Sequence, residues 1–230
     1  MLKIIKRIVP QKMRNKLQML RKQINNFRTL ANGYGQWKTI RNREAVDENG
    51  SPIPWYTYPA IEYLSHLNLN NFSVFEYGSG NSTLWWASKA LNVSSVEDDE
   101  KWFNKISNVI EKQFSNVTCY LIKDKEEYIK SANNNNDIFI IDGKYRRECS
   151  EYISNLTKSV MILLDNSDRH PEILNFLRQS LGWVQVDFHG FGPINDYTWT
   201  TSVLINPERS SEIKYEVNLS PKCGIAAEGE

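Results

Sequence analysis

Cysteine is scarce in this 230-residue chain, which contains only Cys119, Cys149 and Cys223. An odd number of widely spaced cysteines does not predict a disulfide framework, and none of the spacings matches the short pairs of a zinc site. We therefore expect free thiols and a reducing compartment, and hence a cytoplasmic location.

Long apolar runs are also missing. No stretch approaches the roughly 20 residues that a membrane-spanning helix needs, and the N-terminus has neither the continuous apolar segment nor the cleavage site of a signal peptide. Apolar residues nevertheless make up 40% of the chain and aromatic residues 12%, enough for a sizeable buried core. The length fits one globular domain with some additional chain.

Acidic residues are absent from positions 1–43, which hold 12 of the 28 lysines and arginines. The other 16 basic residues stand against 27 acidic ones, so the rest of the chain carries a net charge of −11. Because an acidic domain repels phosphates, we expect no nucleic-acid partner for this body.

The basic segment shows helical periodicity. Its apolar residues recur three or four positions apart on both sides of Pro10: Met1, Ile4, Ile5 and Ile8, then Met13, Leu17, Leu20, Ile24 and Phe27. Two interpretations are open for this basic amphipathic arm (residues 1–30). Residues 1–28 could lie on an anionic membrane surface, at the inner face of the membrane, or the apolar stripe could dock on the protein's own core or on a second subunit.

Beyond residue 60, strand-like and helix-like segments alternate. Strands are predicted at 73–78, 93–97, 117–122, 137–142 and 159–165, with helices at 82–91, 100–114, 124–132, 146–158 and 171–181. Two last strands, 183–190 and 199–206, are joined by a loop too short for a crossover helix and should be antiparallel to each other. The alternation predicts an α/β domain with a doubly wound, mostly parallel sheet. We expect a lead-in or lid at 31–60, a core at 61–208 and a tail at 209–230.

The ends of the first two strands carry the first candidate site, since ligands of open α/β sheets bind at the carboxyl ends of strands. The first strand runs into Glu76-Tyr77-Gly78-Ser79-Gly80-Asn81-Ser82-Thr83. The two glycines permit a tight turn and close approach of a ligand, and Ser82 or Thr83 can cap the next helix. The second strand ends at Glu97, which is placed to accept both hydroxyls of a ribose, while Asp98 or Asp99 can cap the helix that follows.

These segments, FEYGSGNST and SVEDDEKW, resemble the first two motifs of the class I S-adenosylmethionine-dependent methyltransferases, and the resemblance covers residues 55–206. It implies a seven-stranded sheet whose last strand is antiparallel, here with an added basic N-terminal helix. It also implies that Glu76 and the 78–80 loop hold the methionine end of S-adenosylmethionine and that Glu97 holds its ribose. The implied cofactor-binding set is Glu76, Gly78, Ser79, Gly80, Ser82, Glu97, Asp98 and Asp142.

Two other functions remain as alternatives. An NAD(P)-dependent oxidoreductase would be expected to carry a third glycine at position 83, where this chain has Thr83. A non-catalytic nucleotide-binding or scaffold protein would keep the pocket without turnover.

Later strand ends supply candidates for a metal site. Asp142 follows the fourth strand, and Asp165 and Asn166 follow the fifth. Their oxygens suit Mg²⁺, and the arrangement is similar to that of the catechol-type O-methyltransferases, although those usually have a longer acidic motif at the fifth strand. The alternative is that both aspartates position substrate or cap loops without a metal.

Methyl transfer requires aligned reactants, and a hydroxyl acceptor also needs its proton removed. The candidate catalytic residues are Asp142, Lys144 and His189, and Arg146 and Arg147 could grip a carboxylate or phosphate. We therefore predict O-methylation of a small molecule or of a glycan precursor, such as one used in polysaccharide biosynthesis. The acceptor should be chosen by residues 31–60 and 190–198, because loops carry specificity in such folds.

Overall fold

The computed structural model of the protein describes residues 10–156, 158–217 and 220–223. The first part of the predicted apolar stripe, Met1 to Ile8, lies outside the described residues. All three cysteines are free thiols, as expected from their spacing.

Strands and helices alternate along the described chain. The strands are β1 Leu67–Asn68, β2 Ser73–Tyr77, β3 Asn92–Glu97, β4 Val117–Leu121, β5 Ile138–Ile141, β6 Met161–Asp165, β7 Val184–Gly190, β8 Trp199–Ile205 and β9 Lys214–Tyr215. The α-helices are α1 Gln11–Arg28, α2 Gln36–Asn42, α3 Tyr58–Ser65, α4 Asn81–Ala87, α5 Glu100–Gln113, α6 Lys125–Lys130, α7 Arg146–Ile153 and α8 Pro171–Leu181.

Seven of the described strands form one sheet in the order β4-β3-β2-β5-β6-β8-β7. Strand β8 is antiparallel to both of its neighbours, and the other pairs in the sheet are parallel. The predicted doubly wound sheet with an antiparallel last strand is therefore confirmed. A small antiparallel pair, β1 with β9, joins the C-terminal part of the chain to the core.

Apolar side chains cover both faces of the sheet. In β5, Ile138 and Ile140 pack into one core cluster, and Phe139 and Ile141 pack into the other. Alternate residues of a strand point to opposite faces, so a continuous apolar run is what a strand between two helical layers requires. The same reasoning explains β6, in which every residue is buried.

Local signals set several helix ends. Asp99 and Asp124 accept hydrogen bonds from backbone N–H groups in the first turns of α5 and α6. Helix α8 begins at Pro171 and stops at Gly182, whose φ of +65° favours glycine. Helix α4 differs from the expectation, because Gly80 rather than Ser82 or Thr83 is its N-cap residue.

The lead-in before α3 is held against the loop between β7 and β8. The Gln36 side chain donates to the carbonyl oxygens of Gly192 (3.3 Å) and Asn195 (3.2 Å). The backbone N–H of Ile194 donates to Thr39 Oγ1 at 2.8 Å. These contacts bring two segments that are distant in sequence to the carboxyl edge of the parallel strands.

The basic helix α1 contains no buried residue. Its apolar stripe, from Met13 to Phe27, is 43–63% exposed in each of its five side chains. Docking of this stripe on the protein's own core, one of the two predicted arrangements, is therefore not what the structure shows. No helix among the described residues combines the length and apolar character needed to cross a membrane.

Candidate active site

The glycine loop after β2 is shaped by close contact with the end of β5. Gly78 has a φ of +95°, and a Cβ atom placed on it would lie 3.1 Å from the backbone of Gly143. Both observations require glycine at position 78. Gly80 is different, since its backbone is extended (φ −178°) and an added Cβ would meet nothing closer than 3.8 Å. Protein packing therefore does not demand a glycine at position 80.

Glu76 is tied to this loop through Thr83. Thr83 Oγ1 donates to Glu76 Oε2 at 2.5 Å and accepts from the backbone N–H of Gly80 at 2.9 Å. Glu76 is only 1% exposed. Burial raises the pKa of its carboxyl to about 8, although hydrogen bonds from Ser82 and Thr83 oppose the shift. Thr83, which departs from the dinucleotide pattern, thus couples the acidic residue to the glycine turn.

Glu97 joins the ends of β2 and β3. Its Oε2 accepts from the backbone N–H of Ser79 at 3.1 Å, and its Oε1 accepts from those of Asp98 and Asp99, each at 2.9 Å. Asp99, not Asp98, caps α5 by accepting from the Trp102 N–H at 2.8 Å. The Glu97 carboxylate is therefore held by backbone donors at the point where the two strand ends diverge.

These groups line a cavity of about 330 Å³, called the first cavity below. It collects all eight residues of the predicted cofactor set and Lys144. It also contains residues outside the predicted cofactor set: Arg43, Glu44, Ala45 and Trp55 from the predicted lead-in, Ile194 from the 190–198 loop, Asn81 and Gly143 beside motif residues, and Trp102, which was missed.

Trp102 is the most informative of the missed residues. Its indole N–H donates to the Ser79 carbonyl oxygen, and Lys105 Nζ lies 4.8 Å from the ring centroid. In the sequence, Trp102 shares helical spacing with Phe103, Ile106, Val109 and Ile110, which is typical of a core residue and hides its place at the site. The available signal was its place in the first turn after the Asp99 cap, because a side chain there lies at the strand ends.

Asp142 is held by Arg146, one helical turn further along the chain. Arg146 Nη2 donates to Asp142 Oδ1 at 2.8 Å, and Nη1 donates to the Asp165 carbonyl oxygen at 2.6 Å. Burial raises the pKa of Asp142 to about 6, while the Arg146 charge lowers it. Arg146 is thus committed to a structural role at the ends of β5 and β6.

Lys144 lines the first cavity and bonds to the Asp98 carboxylate. That contact raises the pKa of the Lys144 ammonium, which is fully exposed. A lysine that holds its proton more tightly is a poorer general base at neutral pH. The geometry favours Lys144 as a partner of Asp98 and does not favour it as a base.

A second cavity, also about 330 Å³, adjoins the first and shares Trp55 and Asp142 with it. Its other lining residues are Arg146, Asp165, Asn166, Arg169, Asn195 and Tyr197. Asp165 Oδ1 accepts from Thr201 Oγ1 at 2.5 Å and from the Trp199 indole N–H at 3.2 Å. Burial raises the pKa of Asp165 to about 8, and the nearby Asp142 charge adds to the shift.

Asp142, Asp165 and Asn166, the predicted metal ligands, meet in this second cavity but do not fit a divalent cation. The Asp142 carboxylate is already paired with the Arg146 guanidinium, and burial favours the neutral form of the Asp165 carboxyl. Among the described residues, no group of three or more His, Cys, Asp or Glu side chains could hold a metal ion. Protein sites for Mg²⁺ use one or two ionised carboxylates, and neither carboxyl is available in that form here.

His189 lies outside both cavities. Its Nδ1 is 2.7 Å from Thr200 Oγ1, and the side chain lines a separate surface depression beside Asp168 and Arg178. The structure therefore does not bring this predicted base to the residues around Asp142.

No protein-family model and no curated protein matches the chain. Solved structures that it resembles include a dimethyladenosine transferase from Plasmodium falciparum (16% identity, TM-score 0.49, 69% of this chain and 66% of that one). Another is a precorrin-6y C5,15-methyltransferase from Geobacter metallireducens (15%, 0.48, 64% and 87%). A third is TYW2 from M. jannaschii in complex with AdoMet (15%, 0.43, 70% and 79%).

Proposed function

We propose that this protein is an S-adenosylmethionine-dependent methyltransferase. The observation that carries the proposal is the first cavity, in which the Glu76–Gly80 loop and the Glu97 carboxylate meet at the carboxyl ends of adjacent parallel strands. Open α/β sheets bind nucleotide-like ligands at this edge. The strand order, with β8 antiparallel, agrees with the fold implied by the resemblance.

The residues of the first cavity fit the parts of this cofactor. Glu97 uses its oxygens to accept backbone N–H groups and, as a carboxylate with about four acceptor positions, retains capacity for ribose hydroxyls. Trp102 offers an aromatic surface suited to a purine. Gly80 lines the first cavity beside Ser82 and Trp102, and its lack of a side chain allows a ligand to approach the backbone.

Catalysis in this proposal rests on alignment and on Asp142. When bound, S-adenosylmethionine supplies a methyl group on a sulfonium, and the protein aligns the acceptor in line with it. Asp142 borders both cavities, and its pKa of about 6 allows it to accept a proton from an acceptor hydroxyl near neutral pH. We propose O-methylation of a small molecule or glycan precursor, and the acidic body supports an acceptor other than nucleic acid.

Calorimetric titration with S-adenosylhomocysteine tests the cofactor assignment. We expect micromolar-range binding to the wild type, strong weakening in Glu97→Gln, and no change in Glu100→Gln, which alters an exposed carboxylate paired with Lys123. Glu97→Gln keeps one acceptor oxygen, so circular dichroism should confirm that it folds. Absence of binding to the wild type would refute the proposal, and saturable NADH binding would then favour the oxidoreductase.

We further propose that α1 attaches the enzyme to an anionic membrane surface. The helix exposes an apolar stripe beside six basic residues: Lys12, Arg14, Lys16, Arg21, Lys22 and Arg28. It carries no acidic residue. Each basic residue near such a surface contributes about 1 kcal/mol to membrane binding. The apolar side chains strengthen this binding because they are buried at the boundary between the lipid head groups and acyl chains.

Vesicle sedimentation tests this attachment with phosphatidylserine-containing and with neutral vesicles. The full chain should sediment with the anionic vesicles, and the double variant Leu17→Asp/Leu20→Asp should stay in solution. Leu91→Asp is the control, because Leu91 is comparably exposed (56%) but lies outside the helix. Equal sedimentation of the arm variant and the wild type would contradict the proposed attachment.

A further inference from the structure

The second cavity lies where a methyl acceptor must bind. It opens at the ends of β5 and β6 and meets the first cavity along Trp55 and Asp142. Reacting atoms in a displacement must approach within about 3–3.5 Å. An acceptor in the second cavity, and a cofactor in the first, would therefore meet beside these two shared side chains.

Charge in the second cavity is unevenly distributed. Arg146 is paired with Asp142 and also donates to the backbone oxygens of Gly143 and Asp165. The Asp165 side chain is buried, and its Oδ1 already accepts from Thr201 Oγ1 and from the Trp199 indole N–H. Of the two guanidinium groups that line the cavity, Arg146 is therefore engaged by a carboxylate, whereas Arg169 forms no ion pair with a described residue.

Arg169 has donors to spare. Within the described chain, Arg169 Nη2 donates a hydrogen bond to the Tyr197 hydroxyl at 3.2 Å. The guanidinium carbon lies 5.6 Å from the Tyr197 ring centroid. A guanidinium has five N–H donors. The neighbouring acid, Asp168, accepts from the Thr200 backbone N–H at 2.9 Å and lines a different depression.

The remaining lining suits a small ligand with a flat part. Trp55 and Tyr197 supply aromatic surface. The side-chain amides of Asn166 and Asn195 make no hydrogen bond to any described residue, although both line the cavity. The cavity thus combines a guanidinium that has unused donors and no ion pair with a described residue, two available amides and two aromatic walls.

We propose that the methyl acceptor carries an oxyanion, a carboxylate or a phosphate, and that Arg169 binds it in the second cavity. Arginine matches either group with two parallel N–H···O bonds. The inference rests on the proposed function, because it names the class of acceptor for that same site. Arg169 is then a specificity-determining residue that binds the oxyanion of the acceptor. The reacting atom of the acceptor lies at the Asp142 side of the second cavity, next to the cofactor.

Calorimetric titration of the full chain with simple probes tests the proposal. Benzoate and phenyl phosphate are compared with benzamide, a neutral molecule of similar shape, each with the protein saturated in S-adenosylhomocysteine. We expect saturable binding of at least one anion and tenfold or greater weakening in Arg169→Ala, which corresponds to about 1.4 kcal/mol. Arg169→Lys should recover part of the affinity, because it restores the charge without the paired donors.

Arg178→Ala is the matched control. Arg178 is an exposed arginine of α8 that bonds to Asn175 and lines neither cavity. It should bind the anions as the wild type does. The relative affinity of the two anions decides between a carboxylate and a phosphate acceptor.

The inference would be overturned by benzamide binding as tightly as the anions, or by Arg169→Ala retaining wild-type affinity. Failure of both anions to bind would also overturn it. The S-adenosylhomocysteine titration of the same preparation separates this failure from that of the proposed function, since a protein that binds the nucleoside but no anion keeps the methyltransferase assignment.

Discussion

Thr83 offers the sharpest test of how the glycine loop is built. Its side chain is fully buried, and its hydroxyl bonds to both Glu76 and the Gly80 backbone. Thr83→Val keeps the shape of the side chain and removes only the hydroxyl. Thr83→Ser keeps the hydroxyl and removes only a methyl group. The pair therefore separates hydrogen bonding from packing at a single position.

The two changes should differ clearly in the free energy of unfolding. Valine leaves the Gly80 N–H and the Thr83-facing oxygen of Glu76 without these bonds, and each unsatisfied buried group costs about 1–3 kcal/mol. We therefore expect a loss on the order of 2–5 kcal/mol. Serine loses one buried methyl group, which costs about 1 kcal/mol. The pKa of Glu76 should also rise in the valine variant, because the Thr83 hydrogen bond lowers it.

Urea denaturation near neutral pH, followed by circular dichroism, measures both variants against the wild type. The same proteins titrated with S-adenosylhomocysteine should show weaker binding for valine than for serine, since the displaced Gly80 backbone borders the first cavity. A valine variant as stable as the serine variant would refute the reasoning. It would mean that the hydroxyl contributes no net stabilisation and that the loop is held by packing alone.

Three further predictions concern the same region. Glu76→Gln should flatten the pH dependence of the free energy of unfolding. The pKa of Glu76 is about 8 in the folded protein, above the usual 4.5. Its contribution to stability is therefore complete below about pH 4.5 and is lost as the pH rises through 8. Urea titrations of wild type and variant across this range check the sign, and a constant difference between them would contradict it. Gly143→Ala should destabilise the fold by about 1–3 kcal/mol, because the new Cβ would lie 2.8 Å from the Gly78 nitrogen. Its control, Gly182→Ala, meets nothing within 4 Å and bears only the strain of a φ of +65°. Once an acceptor is known, the rate should rise with pH through about 6 as Asp142 loses its proton, and Asp142→Asn should lower kcat about 10²–10⁴-fold; an unchanged kcat would remove Asp142 from the mechanism.

Much of the sheet could be predicted from short apolar runs. DIFIID and SVMILLD contain the buried strands Ile138–Ile141 and Met161–Asp165, because only a strand covered on both faces accommodates such runs between turn residues. The predicted bounds of the helices were less accurate than those of the strands. Predicted helix 146–158 ends at Ile153, since fraying ends depend on neighbouring elements rather than on local sequence.

The first cavity was partly predictable for a related reason. The glycine loop and Glu97 lie at the ends of predicted strands, and a sequence motif of this kind depends only on the conformation of the local backbone. The pairing of Asp142 with Arg146 is also a local contact, because only residues 143–145 separate the end of β5 from the start of α7. The position of His189 was not predictable, because its distance from the cavities depends on how β7 pairs with β8 at the edge of the sheet.

The walls shared by the two cavities come from residues that no local motif connects. Trp55 is carried by the lead-in, and the loop after β7 packs so closely against it that a Cβ on Gly192 would lie 2.3 Å from the Tyr56 carbonyl oxygen and 2.4 Å from the Trp199 ring. Trp199 in turn donates to Asp165 in the second cavity. The lead-in, the loop and the sheet edge therefore form one packed unit, and we expect a change in any of them to shift the boundary between the two cavities. Under the proposed function, we therefore expect changes in residues 31–60 and 190–198 to alter acceptor binding while the glycine loop and Glu97 stay in place.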